Sequence, residues 1–339
     1  MPQEIRFATF NVCNLALPGT KLYDNLAPLS ADEYEAKANW TAQQLDQLDA
    51  DVIGFQEIFS QAALRDVLSR TRKYRDAIHA GFDPAPGATR LTPNVALVSR
   101  LPLVAPAAMY SDFPPGVVAD CAHVDAGNPD ADRFARAPLH AQVLLPGERI
   151  VDVIVVHLKS RRPDYRASDC GDDPLQYALA NLRSLVWRGT EAVALRVLLS
   201  KLMRDTGHPC IVLGDFNDTA DAVTTTIVLG AGVLSPPGQE MHGRMYDCNQ
   251  IQLRQDHLRH VGYTCIHEGH YTTIDHVLVS DHFNPASPRA IGEVFDVTYL
   301  NDHLRQERPE TSDHGQVLVR LRLRGQSAGQ GRAKAEGLM

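Results

Sequence analysis

Short hydrophobic runs recur along the chain, separated by polar stretches rich in glycine and proline. Some runs alternate apolar with polar residues, as a half-exposed strand does. Others, such as residues 211–213 (Ile-Val-Leu), are apolar throughout, which is typical of a strand buried on both faces. The pattern predicts strands over residues 5–12, 51–57, 94–99, 139–145, 150–158, 210–216, 262–267, 273–280 and 314–323.

Two segments have the period of a helix with one buried face. In residues 30–50, Ser30 and Glu33 have the spacing of a capping box. The apolar face that follows consists of Tyr34, Ala38, Thr41, Leu45 and Leu48, at steps of three and four. A second helix is predicted over roughly 174–205, with a buried stripe of Leu195, Leu198, Leu199 and Leu202. Both halves of the chain therefore follow an order of strand, helix and strand, which indicates the α/β class.

Composition narrows the class of protein. The chain has 339 residues, 44% of them hydrophobic and 22% charged, which is typical of a globular protein with a sizeable core. Its net charge of −8 argues against a large basic face that binds nucleic acid by electrostatics alone. A local basic groove or a bound cation would still be compatible with that charge.

Other features of the sequence bear on domains and location. Residues 81–93, 111–132 and 162–174 are predicted to be surface loops. We expect one catalytic domain over 1–324 and a disordered tail over 325–339. The six cysteines include no C-x-x-C pair, which argues against a disulfide framework or a zinc site. With no signal peptide and no apolar run of the ~20 residues that span a bilayer, we expect a cytoplasmic protein without a membrane partner.

Polar side chains collect where the predicted strands end, and ligands of α/β sheets bind at the carboxyl ends of strands. A site there would bring together Asn11, Glu57, His157, Asp215, Asn217, Asp275, Asp313 and His314. In a strand, residues two apart point to the same side, so Asp215 and Asn217 are expected to face the same way. Carboxylate and amide oxygens suit a hard cation, Mg²⁺ or Mn²⁺, better than zinc. No serine or cysteine is placed as a nucleophile, so the attacking group would be water. This combination favours hydrolysis of a phosphate ester.

Each motif also has a plainer interpretation. Residues 214–218 (GDFND) could be a turn in which Asn217 or Asp218 caps a helix starting near Thr219. Glu57 could be a surface residue, and His157 a core histidine. The charge run at 157–166 could be a solvated face. In the functional interpretation its Lys159, Arg161 and Arg162 bind phosphate, because guanidinium forks match phosphate oxygens.

The order of the motifs resembles one known family, the endonuclease/exonuclease/phosphatase superfamily of metal-dependent phosphoesterases. The resemblance extends from about residue 5 to about residue 323 and is specific as a set, although no single motif is. The segments that carry it are TFNVCNL (9–15), DVIGFQEIF (51–59), NVALVSRLPL (94–103), VVHLKS (155–160), VLGDFND (212–218), IDHVLVS (274–280) and SDHGQVLVRL (312–321).

The resemblance implies a four-layer α/β/β/α sandwich of two packed mixed sheets. It also implies roles at the matching positions: Asn11, Glu57 and Asp313 at the metal, His157 at the scissile phosphate, Asp215 and Asn217 at the water or a second metal, and Asp275 with His314 as a carboxylate–imidazole pair. The implied function is hydrolysis of a phosphodiester, with DNA or RNA among the candidate substrates and no protein partner. Two alternatives stay open: a phosphomonoesterase on a small metabolite or lipid headgroup, and a non-catalytic binding scaffold.

Overall fold

The computed structural model describes residues 3–83, 91–117, 132–166, 169, 171–230, 243–253, 262–306 and 308–325. Residues 84–90, 118–131, 167, 168 and 170, within the three predicted loops, lie outside this part of the chain. The predicted tail, from residue 326 onward, lies outside it as well.

Two six-stranded mixed sheets form the centre of the fold. The first half of the chain contains β1 (Gln3–Leu15), β2 (Val52–Ile58), β3 (Ile78–Gly81), β4 (Asn94–Ser99), β5 (Ala108–Met109), β6 (Leu139–Leu145) and β7 (Arg149–His157). The second half contains β8 (Cys210–Asp215), β9 (Met245–Asp247), β12 (Asp275–Ser280), β13 (Gly292–Leu300) and β14 (Gln316–Leu323), and a separate hairpin of β10 (Cys265–His267) and β11 (His270–Thr272). The first sheet has the strand order β13-β14-β1-β2-β4-β3 and the second β5-β6-β7-β8-β12-β9.

Helices cover the outer faces of both sheets. They are α1 (Ala31–Leu48), α2 (Gln61–Arg70), α3 (Pro174–Thr206) and α4 (Val223–Leu229). The single turn α5 (Cys248–Ile251) packs instead against the apolar layer between the sheets. Short 3₁₀ helices span Asp281–Phe283 and Asp302–Arg305. The predicted capping box at the start of α1 is confirmed: Ser30 Oγ accepts from the Glu33 N–H, and the Glu33 carboxylate accepts from the Ser30 N–H.

Three apolar layers hold these elements together. The central layer lies between the sheets, where Phe7 and Val52 of one sheet pack with Val153 and Leu213 of the other. A second layer joins the outer face of the first sheet to α1 and α2, and a third joins the second sheet to α3. The predicted α/β/β/α sandwich is therefore confirmed.

The sheets approach each other closely near their middle strands. A Cβ atom built on Gly54 of β2 would lie 2.9 Å from Cβ of Leu213 in β8, so glycine permits this approach. Each sheet has its parallel pair here, β1 with β2 and β7 with β8. The carboxyl ends of these four strands consequently meet at one edge of the sandwich.

The sequence pattern missed several elements and misplaced several boundaries. Strand β13, helix α2 and the short strands β3, β5, β9 and β11 were not predicted. The strand predicted over 262–267 begins only at Cys265, and it belongs to the separate hairpin. None of the helices in the described ranges is long and apolar enough to cross a bilayer.

Candidate active site

One amide group joins the two sheets at the shared edge. Nδ2 of Asn11, in β1, donates to Oδ2 of Asp215 in β8 at 3.1 Å, and to Oε1 of Glu57 in β2 at 3.3 Å. Asn11 and Asp215 are buried, and Glu57 is half-buried. The structure thus brings together three side chains that the sequence placed at separate strand ends.

Backbone irregularities direct Glu57 into this edge. The pairing of β1 with β2 shifts register after Asn11, and that of β2 with β4 shifts after Phe55. Glu57 has a φ of 62°, in the left-handed region that non-glycine residues rarely adopt. Its Oε2 accepts from the backbone N–H of Asn14 at 2.9 Å. Bulges of this kind re-aim side chains next to active sites, and strained residues concentrate there.

Two buried carboxylates and a histidine form the centre of the site. Asp275 and Asp215 are direct partners in the antiparallel pairing of β12 with β8. Burial and the neighbouring Asp275 raise the pKa of Asp215 to about 7. His314 lies against both, with Nδ1 at 2.9 Å from Oδ2 of Asp275 and Nε2 at 3.9 Å from Oδ2 of Asp215. Burial opposes protonation of His314, but Asp275 and Asp215 together raise its pKa well above the ordinary value, which makes it an imidazolium.

The turn that carries His314 is fixed from three sides. The buried hydroxyl of Ser312 donates to the carbonyl of Asn11 at 2.6 Å and accepts from the His314 N–H at 3.0 Å. Nε2 of His303 lies 2.9 Å from the His314 carbonyl oxygen. On the third side, the Gly315 N–H donates to the carbonyl of Thr264. These contacts hold the imidazolium at one end of the site.

His157 ends β7 directly beside Asp215, its partner in the parallel pairing with β8. Its Nε2 lies 3.4 Å from Oδ2 of Asp215. Burial, with the positive charges of Arg136 and His314, holds the pKa of His157 well below the ordinary value, so the ring is neutral. Within the described residues its buried Nδ1 has no hydrogen-bond partner. The plainer interpretation as a satisfied core histidine therefore does not describe this ring.

The segment after Asp215 neither continues strand β8 nor caps a helix, and the predicted role of Asn217 at the metal or the water stays a prediction. Strand β8 ends at Asp215, and Asn217 has a φ of 53°, so strand alternation does not govern where Asn217 points. Its Nδ2 donates to the Leu158 carbonyl at 2.9 Å. The cap reading is also wrong, because α4 begins only at Val223 and has no side-chain cap.

Asp313 and two residues that the sequence pattern did not single out form a corner beside His314. Asp313 is exposed and accepts a hydrogen bond from the Cys13 thiol. Lys37, on α1, is 4% exposed, and its charge acts on both Cys13 and Asp313. Its position three residues after Tyr34, within the buried face of α1, is the signal that could have identified it. The predicted metal role that Asp313 shares with Glu57 stays a prediction.

The three predicted phosphate-binding residues have different surroundings. Lys159 Nζ lies 5.8 Å from the centroid of the Trp187 ring, and burial lowers its pKa. Arg161 donates to the Asn217 carbonyl at 2.9 Å and to Oδ1 of Asp218 at 2.6 Å, so it supports the turn at Asn217. Arg162 is exposed. Their role in binding substrate stays a prediction.

Arg136 is a cation at the site that the sequence pattern did not indicate. Its Nη1 donates to the Leu158 carbonyl at 3.2 Å, next to His157, and its buried Nε has no partner in the described structure. The loop is held by the buried Glu191, which accepts from the Ala135 N–H at 2.8 Å and the Lys159 N–H at 2.6 Å. The only feature of the sequence that could have indicated Arg136 is its position just before β6.

The side chains at this edge fit a hard divalent cation. The buried atoms without a described partner include Asp275 Oδ1, Asn14 Oδ1 and His157 Nδ1, all at this edge. Asp215, Asp275 and His314 offer ligand atoms within 4.8 Å of one another. An imidazolium cannot ligate, so the oxygen groups of Glu57, Asp215 and Asn11 are the better donors, and such donors suit Mg²⁺ or Mn²⁺.

Comparison with known proteins concerns the sequence family and the fold. The sequence model of the Endonuclease/Exonuclease/phosphatase family matches residues 8–314. An endonuclease/exonuclease/phosphatase from Bacteroides vulgatus has a TM-score of 0.58 at 17% identity, over 95% of this chain and 100% of that one. The human Nocturnin catalytic domain with bound sulfate has a TM-score of 0.58 at 16% identity, over 95% of each chain.

A mannosyl-6-phosphatase from Bacteroides thetaiotaomicron has a TM-score of 0.55 at 16% identity, over 94% of this chain and 99% of that one. At such identities the likeness concerns the fold alone. A comparison with curated proteins finds no match.

Proposed function

The chain belongs to the endonuclease/exonuclease/phosphatase family, and we propose that it is a divalent-metal-dependent phosphodiester hydrolase of the nuclease type. The observation that carries the proposal is the buried Asp275–His314 pair beside Asp215. A buried imidazolium held 2.9 Å from one carboxylate and 3.9 Å from a second contributes little to packing of the core. It has a clear use beside an anionic phosphate.

Each residue has a part in this reaction. His314, held as an imidazolium by Asp275, donates a hydrogen bond to a phosphate oxygen and offsets the charge that develops in the transition state. Asp215 accepts a proton from the attacking water; in the metal-free protein, burial and Asp275 raise its pKa to about 7. The neutral His157 and the Arg136 guanidinium contact the other phosphate oxygens. Asn217 fixes the loop at Leu158 that carries these groups.

A divalent cation, when bound, would be held by Glu57, Asp215 and Asn11 and would supply positive charge to the phosphate and its leaving group. Such a cation also explains how a chain with a net charge of −8 accommodates a phosphodiester. Mg²⁺ and Mn²⁺ are the ions that this donor set favours.

A phosphomonoesterase would use the same residues, and the similar fold of a mannosyl-6-phosphatase makes it the second candidate. The two differ in the space that the cleft leaves on both sides of the phosphate. Turnover of bis-p-nitrophenyl phosphate against p-nitrophenyl phosphate separates them, with single-stranded DNA and RNA as polymeric diesters.

The proposal predicts diester turnover that needs Mg²⁺ or Mn²⁺ and stops in EDTA. The double variant Asp215→Ala, His314→Ala should lose turnover, whereas Asp221→Ala, an exposed aspartate of the same loop, should keep it. Turnover that persists in EDTA or in the double variant would contradict the proposal. No turnover of any phosphoester, with partner binding unchanged in the double variant, would favour a binding scaffold.

A further inference from the structure

The separate hairpin of β10 and β11 stands beside the catalytic pair. Its two strands join through Glu268 and Gly269, with φ of 48° and 78°. At its base, the Thr264 hydroxyl accepts from the backbone N–H of Asp275 at 3.2 Å, and the Thr264 carbonyl accepts from that of Gly315. The hairpin is therefore anchored to both segments that carry the Asp275–His314 pair.

Tyr271 presents an aromatic ring from this hairpin. Its side chain is 49% exposed although the ring is held in place. The buried Tyr263 contacts it edge to face, with ring centroids 4.9 Å apart and an interplanar angle of 87°. The Arg305 guanidinium lies 5.8 Å from the Tyr271 centroid, and its Nη2 donates to the Tyr271 hydroxyl at 3.3 Å. A ring with fixed orientation and an open surface loses little entropy when a planar ligand stacks on it.

Arg305 is connected to the turn that carries His314 through a second element. It ends the 3₁₀ helix Asp302–Arg305, whose His303 contacts the His314 carbonyl at 2.9 Å and packs edge to face on Trp40. Within the described residues the Arg305 guanidinium contacts Tyr271, and no carboxylate forms an ion pair with it. Its positive charge is consequently available to an anionic ligand.

The distance from this ring to the reaction centre suits a neighbouring nucleotide. Tyr271 precedes Asp275 by four residues, which span at most about 13 Å of extended chain. A strand whose scissile phosphate lies at the Asp275–His314 pair can therefore place a flanking base at the ring.

We propose that Tyr271 and Arg305 form a stacking platform for a base that flanks the scissile phosphate of single-stranded nucleic acid. This proposal rests on the proposed function and names its substrate class. A tyrosine face stacks on any base, and an adjacent arginine adds cation–π attraction and neutralises a backbone phosphate. An unstacked base is required, so a single strand is preferred over a duplex.

The test compares two single-stranded oligonucleotides in Mg²⁺, one with normal bases and one with abasic residues beside the cleaved phosphates. Tyr271→Ala should lower kcat/KM on the normal strand by about fivefold to 150-fold, mainly through KM, because stacking on an aromatic side chain is worth about 1–3 kcal/mol per base. On the abasic strand it should have almost no effect. Tyr271→Phe, which keeps the ring, should retain wild-type values, and so should Tyr177→Ala, an equally exposed tyrosine on α3 (52% exposed).

Equal losses on both strands would mean that Tyr271 only supports the fold, and no loss on either would mean that no base stacks there. Both results would overturn the platform while leaving phosphodiester hydrolysis intact. Binding measured by fluorescence anisotropy of the same labelled strands, in an Asp215→Ala background that does not turn over, gives the answer independently of catalysis. If the wild type hydrolyses no phosphoester, the proposed function fails, and a Tyr271-dependent preference for the base-bearing strand in the binding assay would still support the platform.

Discussion

Nδ1 of His314 lies 2.9 Å from Oδ2 of Asp275, which is itself the cross-strand partner of Asp215. Because of this arrangement, His314 and Asp215 have different pKa shifts although they are neighbours. Asp275 holds the proton on His314, and burial with the charge of Asp275 raises the pKa of Asp215 to about 7. Pairs of titratable groups whose surroundings separate their pKa values are the usual basis of acid–base catalysis.

Replacing Asp275 with asparagine should remove the charge that keeps His314 protonated while preserving the shape of the side chain. We expect kcat to fall by about 10²–10⁴, the usual contribution of a positioned acid or base. Asp32→Asn, in the exposed first turn of α1, is the matched control and should keep full activity. Steady-state kinetics with bis-p-nitrophenyl phosphate measures the change, and circular dichroism checks the fold. Activity within about twofold of wild type would contradict the role given to the pair.

The same variant should change the pH dependence. Burial lowers the pKa of His314, but the two carboxylates raise it well above the ordinary 6.5, so the wild-type imidazolium persists into alkaline solution. Without the Asp275 charge its pKa falls, and the alkaline limb of kcat/KM should move to lower pH. A pH–rate profile of the residual activity tests this. An unchanged alkaline limb would show that the reaction does not require a protonated His314.

Asp215 should destabilise the metal-free protein as pH rises. Its pKa is about 7 in the folded protein and near 3.8 in the unfolded chain, so between these values only the unfolded state ionises. Stability is therefore lost as pH increases from about 4 to 7. Asp215→Asn removes this loss, so in EDTA it should raise Tm more at pH 8 than at pH 5, while abolishing turnover. Thermal denaturation of both proteins at the two pH values measures the difference; an equal change at both would contradict the raised pKa.

Arg136 should bind substrate through its charge. We expect Arg136→Ala to lower kcat/KM by about 10-fold to 100-fold, since a hydrogen bond to a charged group is worth about 1.5–3 kcal/mol. Arg133→Ala removes an exposed arginine of the same loop, paired with Asp112, and should have almost no effect. If the two variants behave alike in steady-state kinetics, Arg136 has no contact with the phosphate.

The sequence could predict the layers of the fold and the side chains at strand ends, because both follow from local patterns. Hydrophobic periodicity identifies β1, β8 and α1, and the polar residues that follow a buried strand need partners. The strand β13 and the short β9 were missed, because such edge segments take their structure from the strands that they pair with. Of the hairpin that carries Tyr271, only β10 fell within a predicted strand, over 262–267, and β11 was missed for the same reason.

Local sequence patterns could not predict contacts between residues that are distant in the chain. The Ser312 hydroxyl donates to the Asn11 carbonyl across 301 positions, and no local signal indicates it. Asn217 was expected to face the same way as Asp215, but its left-handed backbone places its amide on Leu158. Arg136 and Lys37 are charged residues whose relevance depends entirely on what folds against them.

The proposed mechanism requires a divalent cation and phosphate to bind at the Asp215–His314 site. Anomalous diffraction from crystals soaked with Mn²⁺ and inorganic phosphate measures directly where they bind. We predict a manganese peak bonded to a carboxylate oxygen of Glu57, with phosphate between it and the imidazole of His314. A manganese peak elsewhere on the protein, with Glu57, Asp215 and His314 touching neither ion, would contradict the account.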